Sequence, residues 1–363
     1  MAQSKSTRRD FLRGGAAVDA LAAWADGAAV DAHLVEPLAE PGLLVFTRRA
    51  MATSFEVLVD GRAFPQAADA ALAGFDVIDA LEDQLSVYRE HSEVMHINRL
   101  AHEGPVVVEP RLFALFLRAA ELHAATGGAF DITAGPLAKV WGFYRRQGAI
   151  PAPADLAEAL GRVGMSRVLL DEETTTIEFS REGIEINLGA IGKGYALDRA
   201  AEVLVAAGID NFVLHGGASS VLARGSCRHT SAGPSGWRIG VGDPQRPGER
   251  LALVNLRDRA IGTSGAAYQS FRHQGRRYGH ILDPRTGWPA EGVLSATVLA
   301  ETAADADALS TALYVLGPDA ADQFLSGRED IAAILVLPGQ RPGEAIIRTW
   351  NLPDSDFELA DKT

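Results

Sequence analysis

A single cysteine, Cys227, stands in the 363 residues, which rules out an intramolecular disulfide and a cysteine-rich zinc centre. Basic charge is also scarce: 34 Lys and Arg face 47 Asp and Glu, for a net charge of −13. Nucleic-acid binding needs a basic face against phosphate, and the chain has no Lys/Arg-rich run interleaved with aromatics. A nucleotide would have to be held locally, with a metal screening its phosphates. Apolar runs are short, none reaching the roughly 18 uninterrupted residues of a membrane helix. Aromatics are only 7% of the chain, so the group Trp141, Phe143 and Tyr144 stands out; it can stack on a flat ring or fill a core. What the chain does have is apolar mass, 47% of its residues, enough for one large domain or two interlocked ones.

The amino terminus is more specific. Ser6-Thr7-Arg8-Arg9-Asp10-Phe11-Leu12-Arg13 resembles a twin-arginine export signal, which implies delivery of an already folded protein to the periplasm. Asp19 and Asp26 interrupt the alanine-rich stretch behind it, so that stretch does not read as a spanning helix. With no cysteine nearby, a lipoprotein anchor there is excluded. The expected organisation is an export leader and linker over 1–40, one domain over 41–352 and an acidic mobile tail over 353–363.

Within the domain, 43–46 and 54–60 read as paired strands around Met51. Apolar residues at helical spacing mark helices over 66–85 and 111–125, the second stopped by Gly127. A hairpin over 167–179 precedes a strand at 184–187 and a helix over 195–207. Further strands are expected at 212–214, 220–223, 237–241, 251–256, 294–299 and 332–337, with helices over 305–316 and 320–326. Strands in groups, without strict alternation with helices, favour an α+β fold.

Chemistry concentrates in a few places. Gly189, Gly192 and Gly194 form a glycine-rich corner around Lys193, between the strand at 184–187 and the helix that follows. Such a corner brings backbone close to a phosphate or metal, although it matches neither the dinucleotide nor the Walker fingerprint; a structural turn is the other reading. Asp307 and Thr311 lie four residues apart, on one helical face, with Ser310 beside them. Two hard oxygens at that spacing suit Mg²⁺ completed by water and phosphate, and equally suit solvated or capping residues. His280, on a short strand before a proline turn, can exchange a proton near neutral pH or be structural. Asp283, Thr286 and Gly287 read as turn-formers.

Taken together, these residues resemble the ApbE family of FAD:protein FMN transferases. Eight segments occur in the family's order: 51–53, 86–89, 128–136, 187–195, 215–219, 263–265, 280–284 and 306–312. The resemblance spans 45–334 and implies the family's α+β, T-fold-like architecture of mixed sheets with packed helices. It places Met51, Tyr88, Ala129, Phe130 and Asp131 on FAD, with Tyr88 facing the isoalloxazine, and Asn187, Lys193 and Ile281 at other contacts to the flavin nucleotide. It implies Mg²⁺ held by the Ala190 carbonyl and the side chains of Asp307 and Thr311. The family commonly has Asp where this chain has Asn187, a loss of charge beside the metal or of an acceptor toward the nucleotide.

The reaction so implied joins the FMN moiety of FAD to a Thr or Ser hydroxyl of an acceptor flavoprotein and releases AMP, with His280 as proton acceptor. The same residues suit an FAD pyrophosphatase that uses water, and Asn187 leaves room for a non-catalytic FAD-binding protein.

Overall fold

The computed structural model describes residues 42–145, 147–226, 236–266, 269–341 and 343–360; the leader and Cys227 lie outside them. Strands β1 (Leu43–Ala50) and β2 (Thr53–Asp60) form an antiparallel hairpin whose turn puts Met51 and Ala52 at positive φ, 49° and 59°. Helix α1 (Ala67–Leu85) buries Phe75, Ile78, Leu81 and Leu85 on one face, as its spacing predicts. Helix α2 (Glu93–Leu100), absent from the sequence reading, starts at Ser92, whose hydroxyl accepts the Met95 N–H at 3.0 Å. After β3 (Val106–Val107), α3 (Pro110–Ala125) opens with proline in its first turn and the Glu109 carboxylate on the next two amides. Short helices α4 (Gly135–Val140) and α5 (Pro153–Leu160) were likewise unmarked by apolar period, being too brief to show one. Strands β4 (Val168–Asp171) and β5 (Thr176–Phe179) make the expected hairpin.

The strand expected at 184–187 does not form. Ile184 and Ile186 are buried as in a strand, but the Asn98 side chain takes both backbone groups of Ile186, donating to its carbonyl at 2.9 Å and accepting from its N–H at 2.8 Å. Only an isolated parallel bridge, Glu185 with Ala134, remains. A side-chain amide here does the work of a neighbouring strand.

Helix α6 (Gly192–Ala206) begins three residues earlier than expected. It leads to β6 (Phe212–Gly216), β7 (Ser220–Arg224), β8 (Trp237–Gly242), β9 (Arg250–Leu256), β10 (Arg259–Gly265), β11 (Ser270–His273), β12 (Arg276–Gly279) and β13 (Ser295–Ala300). Helix α7 (Ala303–Leu325) contains both predicted helices, divided at Gly317, whose φ of 73° and the following Pro318 break the regular turn. Strands β14 (Ala332–Pro338), β15 (Ala345–Trp350) and β16 (Phe357–Leu359) complete the chain.

Eight strands build one antiparallel sheet in the order β1-β2-β6-β7-β10-β13-β14-β15. Helices α1, α6 and α7 cover one face and share its core; the other face packs on a three-stranded sheet, β16-β9-β8, around Trp237, Val254 and Leu256. The α+β expectation holds. The tail does not read as a mobile end here: Phe357–Leu359 pair with β9, because Phe357 reaches the apolar face of the smaller sheet.

Candidate functional site

Two helices cap each other at the centre of the molecule. Asp198 on α6 accepts the N–H groups of Ala303 and Ala304 at the start of α7, at 2.8 and 2.9 Å. In return, Asp307 on α7 accepts the N–H of Gly194 at the start of α6, at 2.8 Å. The exchange needs the two backbones nearly in contact, and a Cβ on Gly194 would lie 2.0 Å from the Ala303 carbonyl oxygen. Gly262 permits the same approach between β10 and α7, where a Cβ would lie 2.3 Å from Ala306. The glycine corner is therefore no bare phosphate cradle: the anion at Gly194 is the protein's own carboxylate, and the Gly189 N–H is held by the Asn187 side-chain oxygen at 2.9 Å.

Asp307 is 5% exposed and faces a cavity of about 1200 Å³, larger than the ~300–1,000 Å³ of most small-molecule sites. Its other carboxylate oxygen accepts the Ser220 hydroxyl at 2.7 Å, and Lys193 Nζ lies 4.0 Å away. Burial pushes its pKa up, opposed by Lys193, Ser220 and the Gly194 amide. Ser264 Oγ on β10 stands 2.9 Å from both Ser310 Oγ and Thr311 Oγ1, and the Ser310 hydroxyl donates to the Asp307 backbone carbonyl at 2.8 Å, so a hydroxyl cluster sits one turn along α7 from the carboxylate. Among the described residues no cluster of three or more His, Cys, Asp or Glu exists. One buried carboxylate, with the Thr311 hydroxyl and the Ala190 backbone on the same cavity, offers a hard, oxygen-only donor set with few charges, which fits Mg²⁺ sharing its ligands with a polyphosphate and fits zinc poorly.

The residues that the resemblance assigns to the flavin, the metal and the proton transfer all line this one cavity: Met51, Tyr88, Ala129, Phe130, Asp131, Asn187, Ala190, Lys193, His280, Ile281, Asp307 and Thr311. Their situations differ. Tyr88 is 66% exposed at the mouth and stacks on Tyr144, with ring centroids 4.9 Å apart and planes at 25°. The Tyr144 hydroxyl donates to the Val87 carbonyl at 2.8 Å, and Lys139, paired with Glu185 at 2.5 Å, lies 5.4 Å over the Tyr144 ring. Of the aromatic group, Trp141 is a core residue, its indole N–H donating to the Gly287 carbonyl. The Asp131 carboxylate is occupied by Thr133, through its N–H and hydroxyl, and by His123 at 3.2 Å, whose pKa it raises. It fixes the loop that carries Ala129 and Phe130.

His280 Nδ1 lies 3.0 Å from the Gln269 carbonyl. A carbonyl only accepts, so the proton sits on Nδ1 and Nε2 of the neutral ring keeps a lone pair. Burial lowers the His280 pKa, with the Lys193 charge adding to it, so the neutral form prevails at pH 7.

Sequence reasoning missed Ser220 and Ser264, and the cavity's far wall, where β8, the turn after it and the start of β9 contribute Ile239, Val241, Asp243 and Arg250. Ser264 sits in the motif at 263–265; the far wall has no local mark, since ordinary strand residues line it.

The comparisons agree with this architecture. The model of the ApbE family matches residues 51–335. The FAD:protein FMN transferase of Treponema pallidum is 34% identical over 277 residues, covering 74% of this chain and 76% of that protein. That of Salmonella typhimurium is 30% identical over 331 residues, covering 89% and 92%. Among solved structures, the ApbE protein of Thermotoga maritima is similar with a TM-score of 0.73 at 31% identity, over 84% of this chain and 96% of that one. The flavinyl transferase ApbE of Pseudomonas stutzeri gives 0.72 at 28% identity, over 85% and 94%. With its motifs gathered on one cavity and the family's model matched over residues 51–335, the chain belongs to the ApbE family.

Proposed function

We propose that this protein transfers the FMN moiety of FAD to a Thr or Ser hydroxyl of an acceptor flavoprotein, releasing AMP, with Mg²⁺ held by the Ala190 carbonyl, Asp307 and Thr311. The observation that carries this reading is the meeting, on one cavity, of an exposed tyrosine stack, a hard-oxygen donor set and a neutral, half-buried histidine. Those are the needs of a flavin ring, a pyrophosphate and an attacking hydroxyl.

Tyr88, braced by Tyr144, offers its face to the isoalloxazine; Met51 and the loop carrying Ala129 and Phe130 shape that end of the cavity. Lys193 brings a positive charge beside Asp307 to meet the pyrophosphate. Asn187 keeps the acceptor function of the family's common Asp, because its Oδ1 holds the Gly189 N–H, so the corner keeps its shape without that charge. Asp307, Thr311 and the Ala190 carbonyl would hold Mg²⁺, which when bound would supply positive charge to offset that of the pyrophosphate and leaving group. His280 Nε2 takes the proton of the acceptor hydroxyl as its oxygen bonds to the FMN-side phosphorus; the phosphoanhydride bond breaks and AMP departs with the bridging oxygen. The neighbouring Gln269 carbonyl holds the ring in the tautomer that can do so.

The twin-arginine-like leader supports export, so that the acceptors meet the enzyme in the periplasm; among the described residues no helix is long and apolar enough to cross a membrane. The test is product analysis with the full chain, FAD, Mg²⁺ and a flavoprotein acceptor, with and without EDTA. Equal amounts of AMP and covalently bound flavin, both lost with EDTA, are expected. Free FMN formed equally well without acceptor would sink the transfer reading in favour of hydrolysis.

A further inference from the structure

His123 has no part in the reaction as drawn above, yet it touches the cavity wall at two points. Its Nδ1 lies 3.1 Å from the Phe130 carbonyl and 3.2 Å from the Asp131 carboxylate, and both of those residues line the cavity. The loop that brings them there folds back over the end of α3. Gly127 and Gly128 take positive φ, 59° and 78°, the Gly128 N–H donates to the His123 carbonyl at 2.9 Å, and the Thr126 hydroxyl accepts the Phe130 N–H at 3.2 Å. Asp131 is thereby enclosed, its side chain 2% exposed, while that of His123 is 25% exposed and exchanges protons with solvent.

The geometry favours a cation at His123. Nδ1 faces two acceptors, so it keeps its proton in either state and Nε2 is the atom that titrates. The ring stands in the last turn of α3, where the helix dipole attracts positive charge. The Asp131 carboxylate holds its pKa above the ordinary 6.5, against burial that pushes it down, and the Phe130 carbonyl adds to the rise. Among the described residues Asp131 is the charge that acts on the ring: on its own helix Glu121 pairs with Arg118, and Arg285, which packs beside Gly128, is held by both oxygens of Asp283. With His123 protonated the pair is neutral; with His123 deprotonated it leaves a negative charge on the cavity wall.

We propose that His123 is a positioning residue whose protonation sets the affinity for FAD: the imidazolium cancels the Asp131 charge on the wall that the dianionic FAD approaches, and the neutral ring leaves that charge in place. The inference rests on the reading of this cavity as the FAD site of a transferase, and adds a group that controls it. Affinity is full in acid and falls as the pH rises through the His123 pKa, above 6.5. By linkage, bound FAD strengthens the hold of His123 on its proton, so binding takes up protons wherever the free ring is partly deprotonated.

Isothermal titration calorimetry of the full chain with FAD reads the affinity between about pH 5.5 and 9, in EDTA so that neither turnover nor metal binding enters. Repeating it at about pH 7.5 in buffers of different ionisation enthalpy reads the protons exchanged. FAD is expected to bind about threefold to tenfold more tightly at the acid end, the effect of one charge acting through partly solvated protein, with a net uptake of protons. His123→Gln, which keeps an N–H donor without the charge, should bind with the weaker affinity at every pH and take up no proton. His123→Lys should keep the tighter affinity to the alkaline end, and melting temperatures check that both variants are folded. The proposal is overturned if the wild-type affinity is flat, if binding takes up no proton, if FAD binds at no pH, or if the break persists in His123→Gln, which moves it to Asp198 with its pKa of about 7. Failure of the transfer reading looks different: FAD binds with this pH dependence, yet with Mg²⁺ and an acceptor neither AMP nor bound flavin forms.

Discussion

The Gln269 carbonyl decides what His280 can do, because it places the ring proton on Nδ1 and leaves Nε2 to accept. Replacing His280 by Asn should lower acceptor-dependent AMP release by about 10²–10⁴-fold, the usual worth of a positioned base. Because burial lowers the pKa of His280, the wild-type rate should hold its plateau below the ordinary histidine value of 6.5 and decline only at more acidic pH; a pH-rate profile breaking above 6.5 contradicts the assignment. Asp307→Asn is expected to separate chemistry from folding. An Asn oxygen still accepts from Gly194, the Ser220 hydroxyl can turn to accept from its amide, and the cost of a buried charge disappears. Its melting temperature should not fall, while Mg²⁺-dependent AMP release is lost. Tyr144→Leu removes the ring behind Tyr88 and should raise the KM for FAD about twofold to tenfold, from the ~0.5–1.5 kcal/mol of an aromatic pair, with Tyr144→Phe close to wild type.

At the scale of elements, α6 and α7 hold the site together by trading carboxylates at their amino ends. Asp198→Ala leaves two amides of α7 without their acceptor and should cost about 0.5–2 kcal/mol in denaturant unfolding. Burial outweighs those two amides and pushes the Asp198 pKa up to about 7 from 3.8. The folded chain therefore favours the protonated form, so the stability linked to Asp198 is fully present below 3.8 and is lost as the pH rises through about 7. Thermal melts of Asp198→Asn should consequently show a shallower decline between pH 4 and pH 8 than the wild type. Equal slopes would show that the carboxylate stays ionised throughout.

On the scale of the whole molecule, the cavity lies between the large sheet with its helices and the small sheet that β16 completes. β9, held at one edge by β16, and its partner β8 form the far wall, so the end of the chain braces a surface distant from it in sequence. Arg238 pairs with Glu358, and the Ser355 carbonyl accepts from Asn255. Ending the chain after Pro353 should raise the KM for FAD while changing kcat less, since the wall loosens but His280 and Asp307 stay in place; steady-state kinetics on the truncated protein checks this.

Long helices and paired strands were legible because burial imposes its period on their sequence: Phe75, Ile78 and Leu81 announce α1, and alternating residues announce β2. The candidate residues were legible as motifs, and all of them reached the same cavity. The short helices α2, α4 and α5 escaped because fewer than three turns carry no readable period. The segment at 184–187 misled because its alternation is that of a strand, while its hydrogen-bond partner is the side chain of Asn98, 88 residues away. Sequence alone thus determined the chemistry available: hard oxygens, a histidine in a family motif, small residues at the corner and too few cysteines for a cysteine-rich metal centre. Tertiary structure alone decided that Gly194 serves Asp307, that Tyr144 backs Tyr88 and that β16 closes the small sheet. Each of these joins residues far apart in the chain, and only packing sets such distances.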